Sequence, residues 1–429
     1  MSSLLIQGGR VVSPEDGLDG ELDVLTDAGT IREIAPNLKA SADVTLDARG
    51  QIVAPGFIDI HVHLREPGGE ASETIESGLK SAVAGGFTAV CPMPNTTPVI
   101  DNAEWVRATI EKAGRLGLAR VFPIAAVSMG SQGETLADMK ALVEAGAVAF
   151  SDDGRPVKTA ALMRQAMESS KSLGAPIIDH CEEPTLSASG VVNEGPVSER
   201  LKVRGVPNSS EDICVSRDLI LAESTGAHLH VAHLSTSRAI EMVRVAKRRG
   251  IRVTCEVTPH HFTLTDEAVS EYGTHAKMNP PLRSARDVEA VVAGLVEGTV
   301  DCIATDHAPH APHLKAKPLA EAPNGVIGLE TALPLALMRL VHSGKISLAH
   351  LIVLMSTNPA RMIQQPLGRL RVGGHADITV FDPNLEWTYH AAQGCSKSRN
   401  SPFDGWKLRG AATATVVAGR VVFSRDRDG

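Results

Sequence analysis

Eight times between Gly56 and Asp306 the chain repeats one local pattern, a short β-branched or apolar run ending in a polar residue and followed by a helical stretch. The runs are Gly56–His61, Phe87–Pro92, Ala119–Ala125, Ala147–Ser151, Pro176–His180, His228–His233, Arg252–Thr258 and Val300–Asp306. Intervening segments such as Leu136–Glu144 and Arg238–Arg249 place apolar residues three and four apart, the spacing of a helix with one buried face. Gly146, Gly174, Gly226 and Gly250 follow such segments, where the backbone turns left-handed on leaving a helix. Alternating units of this kind predict an α/β protein with a parallel sheet, and eight of them close it into a TIM (β/α)8 barrel. His61 to Asp306 spans roughly the ~250 residues such a barrel occupies.

The chain ends have a different texture. LLIQGGRVV, GELDVL and TIREIA near the start, and ADITVFD and ATVVAGRVVF after residue 366, read as short strands. Termini of one chain often lie close together, so residues 1–52 plus 366–429 are expected to form one small β-sandwich-like domain beside a barrel of residues 53–365. With 42 Lys and Arg against 50 Asp and Glu, the net charge of −8 points away from nucleic acid and towards a small-molecule substrate. No window offers the ~20 apolar residues of a membrane span, and the first residues lack a secretory leader, so a cytoplasmic protein without membrane contact is expected. The six cysteines are scattered without a CxxC pair, as expected of reduced, mostly buried thiols.

Catalytic groups of a TIM barrel stand at the carboxyl ends of its strands. Here His61-Val62-His63 ends the first run, Ser151-Asp152-Asp153 the fourth, His180 the fifth, His233 the sixth and Asp306 the eighth. Side chains at i and i+2 of a strand share a face, so His61 and His63 can grip one ion. Taken singly, an HxH pair is more often accidental and a lone histidine more often a satisfied core residue. Metal-type residues at five strand ends together point to a metal centre. Imidazole and carboxylate donors suit Zn²⁺, and Co²⁺, Mn²⁺ or Ni²⁺ could occupy the same set.

The segments GFIDIHVHLREPG (from Gly56), CPMPN (from Cys91), VTPHH (from Val257), KMNPPLR (from Lys277) and ATDHAPH (from Ala304) resemble those of bacterial dihydroorotases of the class I type, in the amidohydrolase superfamily. The resemblance covers nearly the whole chain. It implies metal ligation by His61, His63, Asp153, His180, His233 and Asp306, with Asp306 also the catalytic proton carrier. It further implies substrate contacts from His63, Arg65, Asn95, Asn279 and His310, with backbone contacts from Asn324 and Gly325. Many superfamily members, hydantoinases among them, bridge two metals with a carbamylated lysine on the fourth strand. Here that strand end reads FSDDG and offers no lysine, resembling the branch that uses an aspartate, with Asp152 the competitor to Asp153. One or two zinc ions fit this pattern.

The activity implied is reversible cyclisation of N-carbamoyl-L-aspartate to L-dihydroorotate and water, in de novo pyrimidine biosynthesis. Arg65 would hold the carboxylate outside the ring, with Asn95 and His310 completing the clamp. Two rival readings are a hydantoinase, dihydropyrimidinase or allantoinase, and a catalytically inactive dihydroorotase-like scaffold for aspartate transcarbamoylase. Arg65 and the missing lysine oppose the first, and the intact HxH pair opposes the second. The resemblance also implies a homodimer and admits a complex with aspartate transcarbamoylase. His260 and His261 read equally as supports behind the metal residues or as packing. The long segment His307–Gly325 reads as a mobile lid.

Overall fold

A computed structural model describes residues 3–425. The barrel strands are Phe57–Val62, Phe87–Pro92, a third strand in two pieces (Arg120–Val121 and Ile124–Ala125), Ala149–Phe150, Ile177–Asp179, Leu229–Val231, Val253–Val257 and Cys302–Ile303. All pair in parallel with their sequence neighbours. Most are buried along their whole length, which is why they read as unbroken apolar runs rather than alternating ones. The third strand breaks at Phe122-Pro123, and its two halves join the two arcs of the barrel.

Between the eighth strand and the first, a side chain supplements the ladder. The Asp59 carboxylate accepts the Thr305 N–H at 3.2 Å and the His61 N–H at 3.0 Å, and one step further the His63 N–H donates to the His307 carbonyl at 2.8 Å. Burial pushes the Asp59 carboxyl up to about 7.

The helices carry the expected end signals. Asn102, Thr159, Thr236 and Ser284 each accept backbone N–H groups at the start of a helix, satisfying donors that have no partner within the helix. Gly174 and Gly226 close the helices Ala160–Leu173 and Asn208–Thr225 at φ 74° and 70°, a region costly to any residue with a Cβ.

Strands from both chain ends form one eight-stranded sheet in the order Arg420–Ser424, Lys407–Val417, Ile378–Thr388, Ile52–Pro55, Leu4–Ser13, Leu18–Asp27 and Thr30–Ala35, with Val44–Asp47 beside Leu4–Ser13. Leu4, Ile6, Val24, Ile31, Ile378 and Val416 pack in its own core. It docks on the amino-terminal ends of the first barrel strands. There Thr379 Oγ1 donates to the Gly86 carbonyl at 2.6 Å and accepts the Phe57 N–H at 3.2 Å, while Arg120 pairs with Asp377 at 2.6 Å. This contact lies at the opposite end of the barrel from the polar strand ends. No helix among the described residues is long and apolar enough to cross a membrane.

The strands end sooner than the apolar runs suggest. Val300–Asp306 contributes only Cys302–Ile303 to the sheet, and Asp306 lies just beyond at φ 47°, as His233 lies at φ 31° and Arg65 at φ 59°. Left-handed backbone at a non-glycine residue costs free energy and clusters where function demands an unusual side-chain direction. The chain leaves the sheet early so that these side chains turn over the barrel mouth.

Candidate metal centre and substrate cavity

His61, His63, Asp153, His180, His233 and Asp306 converge on the carboxyl-end mouth of the barrel. Ligand atoms of His61, His63 and Asp306 lie within 4.8 Å of one another, as do those of His61, Asp153 and His233. Asp153 sits between them, its carboxylate 3.4 Å from His61 Nε2, 3.5 Å from His63 Nε2 and 3.6 Å from His180 Nδ1. Asp306 Oδ1 is 3.0 Å from His63 Nε2 and 3.6 Å from His61 Nε2. His180 Nδ1 completes the ring, 2.9 Å from His233 Nε2.

Each of three imidazoles is held from behind so that one nitrogen faces this centre. His61 Nδ1 donates to Glu256 Oε1 at 2.6 Å, His63 Nδ1 to Asn95 Oδ1 at 2.9 Å, and His180 Nε2 to Glu182 Oε2 at 2.8 Å. Such outer partners fix the tautomer and raise the basicity of a metal-binding imidazole. Burial alone would raise the Glu256 carboxyl, but His61 and His230 outweigh it and hold it at about 2. Burial likewise opposes charge on Glu182, and His180 outweighs it, again to about 2.

The donors fit a divalent ion. His61 Nε2 is fully buried without a hydrogen-bond partner, between two carboxylates. Burial disfavours a charged His61, yet Glu256, Asp153 and Asp306 outweigh that and raise it well above the ordinary imidazole range. The mouth therefore stabilises positive charge where the donors converge.

His63, Asp153, His180, His233 and Asp306, with His61 buried behind them, form one wall of a cavity of about 210 Å³, also lined by Arg65, Asn95, Gly154, Asn279, Ala308, His310, Asn324 and Gly325. Arg65 Nε donates to the Pro309 carbonyl at 3.1 Å. His310 Nε2 donates to the Asn324 carbonyl at 2.7 Å. Asn95 and Asn279 line the cavity while also bracing the His/Asp wall: Asn95 Nδ2 donates to Asp153 at 3.1 Å, and Asn279 Nδ2 to Glu182 at 2.7 Å. Gly325 stands at φ 141°, and a Cβ there would meet the Ala308 carbonyl at 2.7 Å and His310 Nε2 at 3.0 Å.

The chain is similar to known proteins along nearly its whole length. A family model described as Dihydro-orotase-like matches residues 50–239. A dihydroorotase from Geobacter sp. is 52% identical across 98% of this chain and 99% of its own length. The chain belongs to the dihydroorotase family. A second family member, from Pelobacter propionicus, is 52% identical across 99% of this chain and its entire length. Among solved structures, an L-hydantoinase (dihydropyrimidinase) from Arthrobacter aurescens superposes with a TM-score of 0.89 at 26% identity, covering 99% of this chain and 96% of that one. A D-hydantoinase (dihydropyrimidinase) from Thermus sp. gives 0.81 at 26% identity, over 97% and 94%. These neighbours share the barrel of the metal-dependent cyclic amidohydrolases.

Within the family's barrel, the two aspartates of the fourth strand end separate cleanly. Asp152 turns away and accepts the N–H groups of Val127 and Ser128 at 2.9 and 3.1 Å, whereas Asp153 faces the centre. His261 is bound on both ring nitrogens, by Thr258 Oγ1 at 2.8 Å and the Pro280 carbonyl at 3.0 Å. Its neighbour His260 is buried with an unpartnered Nε2, and burial pushes its imidazole down to about 4. The segment read as a mobile lid is tied down: Lys315, 3% exposed, donates to the carbonyls of Lys277, Pro323 and Gly325 at 3.3, 2.9 and 3.1 Å. Sequence reasoning passed over Glu256 and Glu182. The signal for Glu256 was an acidic residue inside the otherwise apolar run VTCEV; Glu182, two residues past His180, carried none.

Proposed function

We propose that this chain interconverts N-carbamoyl-L-aspartate and L-dihydroorotate in de novo pyrimidine biosynthesis, as a zinc-dependent dihydroorotase. The observation that carries the reading is one cavity with the His/Asp cluster on one wall and the half-buried guanidinium of Arg65 on another. A cyclic amide bearing a carboxylate outside the ring needs both.

His61, His63, Asp153, His180, His233 and Asp306 would hold one or two Zn²⁺, which when bound supplies Lewis acidity and makes water a stronger acid. Arg65 and His310 receive the exocyclic carboxylate and Asn279 the ring edge, with backbone groups of Asn324 and Gly325 closing the far side. Burial pushes the His310 imidazole down to about 3, so the ring is neutral and its one N–H, on Nε2, must turn from the Asn324 carbonyl to reach the carboxylate. Asp306 stays ionised: burial opposes this, but His61 and His63 hold its carboxyl below the ordinary carboxylate range. In hydrolysis it takes a proton from the attacking water and passes it to the ring nitrogen as the C–N bond breaks. In cyclisation the attacked carboxyl group takes up one proton from solvent, and Asp306 takes the ureido N–H proton as the C–N bond forms and passes it to the departing hydroxyl, which leaves as water.

In this reading residues 53–365 carry the chemistry and residues 1–52 with 366–429 form a β unit under the barrel floor. The protein acts in the cytoplasm as a homodimer that can join aspartate transcarbamoylase; its six free thiols suit a reducing compartment. Assaying purified protein on L-dihydroorotate and on hydantoin tests the assignment. Turnover of dihydroorotate, lost on chelation and restored by Zn²⁺, is expected. Turnover of hydantoin alone would overturn the substrate, and a metal-free, inactive preparation that Zn²⁺ does not rescue would indicate a scaffold.

A further inference from the structure

A second set of metal-type donors lies behind the fifth barrel strand, on the side away from the substrate cavity. Side chains alternate along a strand, so while His180 faces the mouth, its neighbours Asp179 and Cys181 point outward to the helix Asn208–Thr225. That helix presents Cys214 and Asp218, four residues apart and so on one face. One donor atom from each of the four residues lies within 4.8 Å of every other, and all four residues are buried.

The separations have the dimensions of a coordination shell. Cys181 Sγ is 3.5 Å from Asp179 Oδ2 and 3.6 Å from Asp218 Oδ2; Cys214 Sγ is 3.6 and 3.8 Å from the same two oxygens. Tetrahedral zinc with Zn–S of about 2.3 Å and Zn–O of about 2.0 Å requires sulfur-to-oxygen edges of about 3.5 Å. Arg217 takes the other oxygen of Asp218, Nε donating to Oδ1 at 2.7 Å, which leaves Oδ2 turned to the common centre. Its Nη2 lies 3.6 Å from Asp179 Oδ2 and is itself buried without a hydrogen-bond partner. Two thiolates, two carboxylates, a divalent ion and this guanidinium together leave about one net negative charge; without the ion the two carboxylates share one guanidinium and the thiol S–H groups, which are weak donors.

We propose that Asp179, Cys181, Cys214 and Asp218 form a closed structural site for a thiophilic divalent ion, Zn²⁺ by preference, separate from the catalytic centre. The ion would staple the end of the fifth strand to the helix behind it and so fix the backbone that presents His180. This inference is independent of the substrate.

Cobalt is the probe, because the catalytic donors include no sulfur. Protein produced in zinc-depleted, cobalt-supplemented medium should show a thiolate-to-cobalt charge-transfer band in the near ultraviolet, and Cys181→Ser or Cys214→Ser should abolish it. Zinc-grown native protein should hold about one ion per chain more than either variant. Absence of the band from the native cobalt protein would overturn the proposal even if both variants fail to fold. So would equal metal content in native and variant protein, or a Cys181–Cys214 disulfide found by mass spectrometry in native protein.

Discussion

His61 Nδ1 and Glu256 Oε1 lie 2.6 Å apart, both side chains fully buried at the base of the barrel mouth. Glu256 thereby fixes which nitrogen of His61 faces the candidate metal centre. Glu256→Gln keeps the shape but removes the charge, and can present its amide N–H to an imidazole that needs an acceptor. Metal affinity and kcat/KM should each fall by about 10- to 100-fold, read from metal retained against a competing chelator. Unchanged retention would mean that Glu256 only fills space.

Asp306→Asn preserves size and removes the proposed proton carrier. We expect kcat to fall by about 10²- to 10⁴-fold, with metal content measured on the same sample to separate a lost base from a lost ligand. Near-normal turnover would exclude the proton role given to Asp306.

Arg65→Lys should not behave as a conservative change, because an ammonium cannot reproduce a forked guanidinium that already holds the Pro309 carbonyl. Loss of a charge-assisted bond worth about 1.5–3 kcal/mol should appear mainly as a higher KM for dihydroorotate. A fall confined to kcat would place Arg65 in the chemistry instead.

Gly325→Ala puts a methyl group 2.7 Å from the Ala308 carbonyl at a backbone angle that suits glycine. The cavity wall must shift, at a cost of about 1–3 kcal/mol. Weaker substrate binding with unchanged metal content is the expected result, checked by KM and metal analysis together.

His228, at the opposite end of the barrel, should contribute to acid sensitivity. Burial, with His230 and Arg252 nearby, pushes its imidazole down to about 3 from an ordinary value of 6.5. Between those values the unfolded chain binds a proton that the folded chain does not, so stability is full above pH 6.5 and falls as the pH drops towards 3. His228→Gln should flatten that dependence, and urea midpoints compared at about pH 5 and 7.5 would show it. An unaltered slope would exclude His228 as a contributor.

The alternation of apolar runs with helical segments was legible because it is a local periodicity, set by which faces of each element must leave water. The polar residues that end those runs were legible for the same reason: a strand delivers whatever follows it to one rim. The sequence by itself thus determined the barrel, its polar mouth and the metal-type residues around it. Only the tertiary structure decided that Asp153 rather than Asp152 turns inward, that Glu256 meets His61 across 195 positions of chain, and that Lys315 fastens the segment whose length suggested a loose lid. Each of these depends on which buried groups from distant strands become neighbours. Burial makes their pairing obligatory, but no local pattern names the partner.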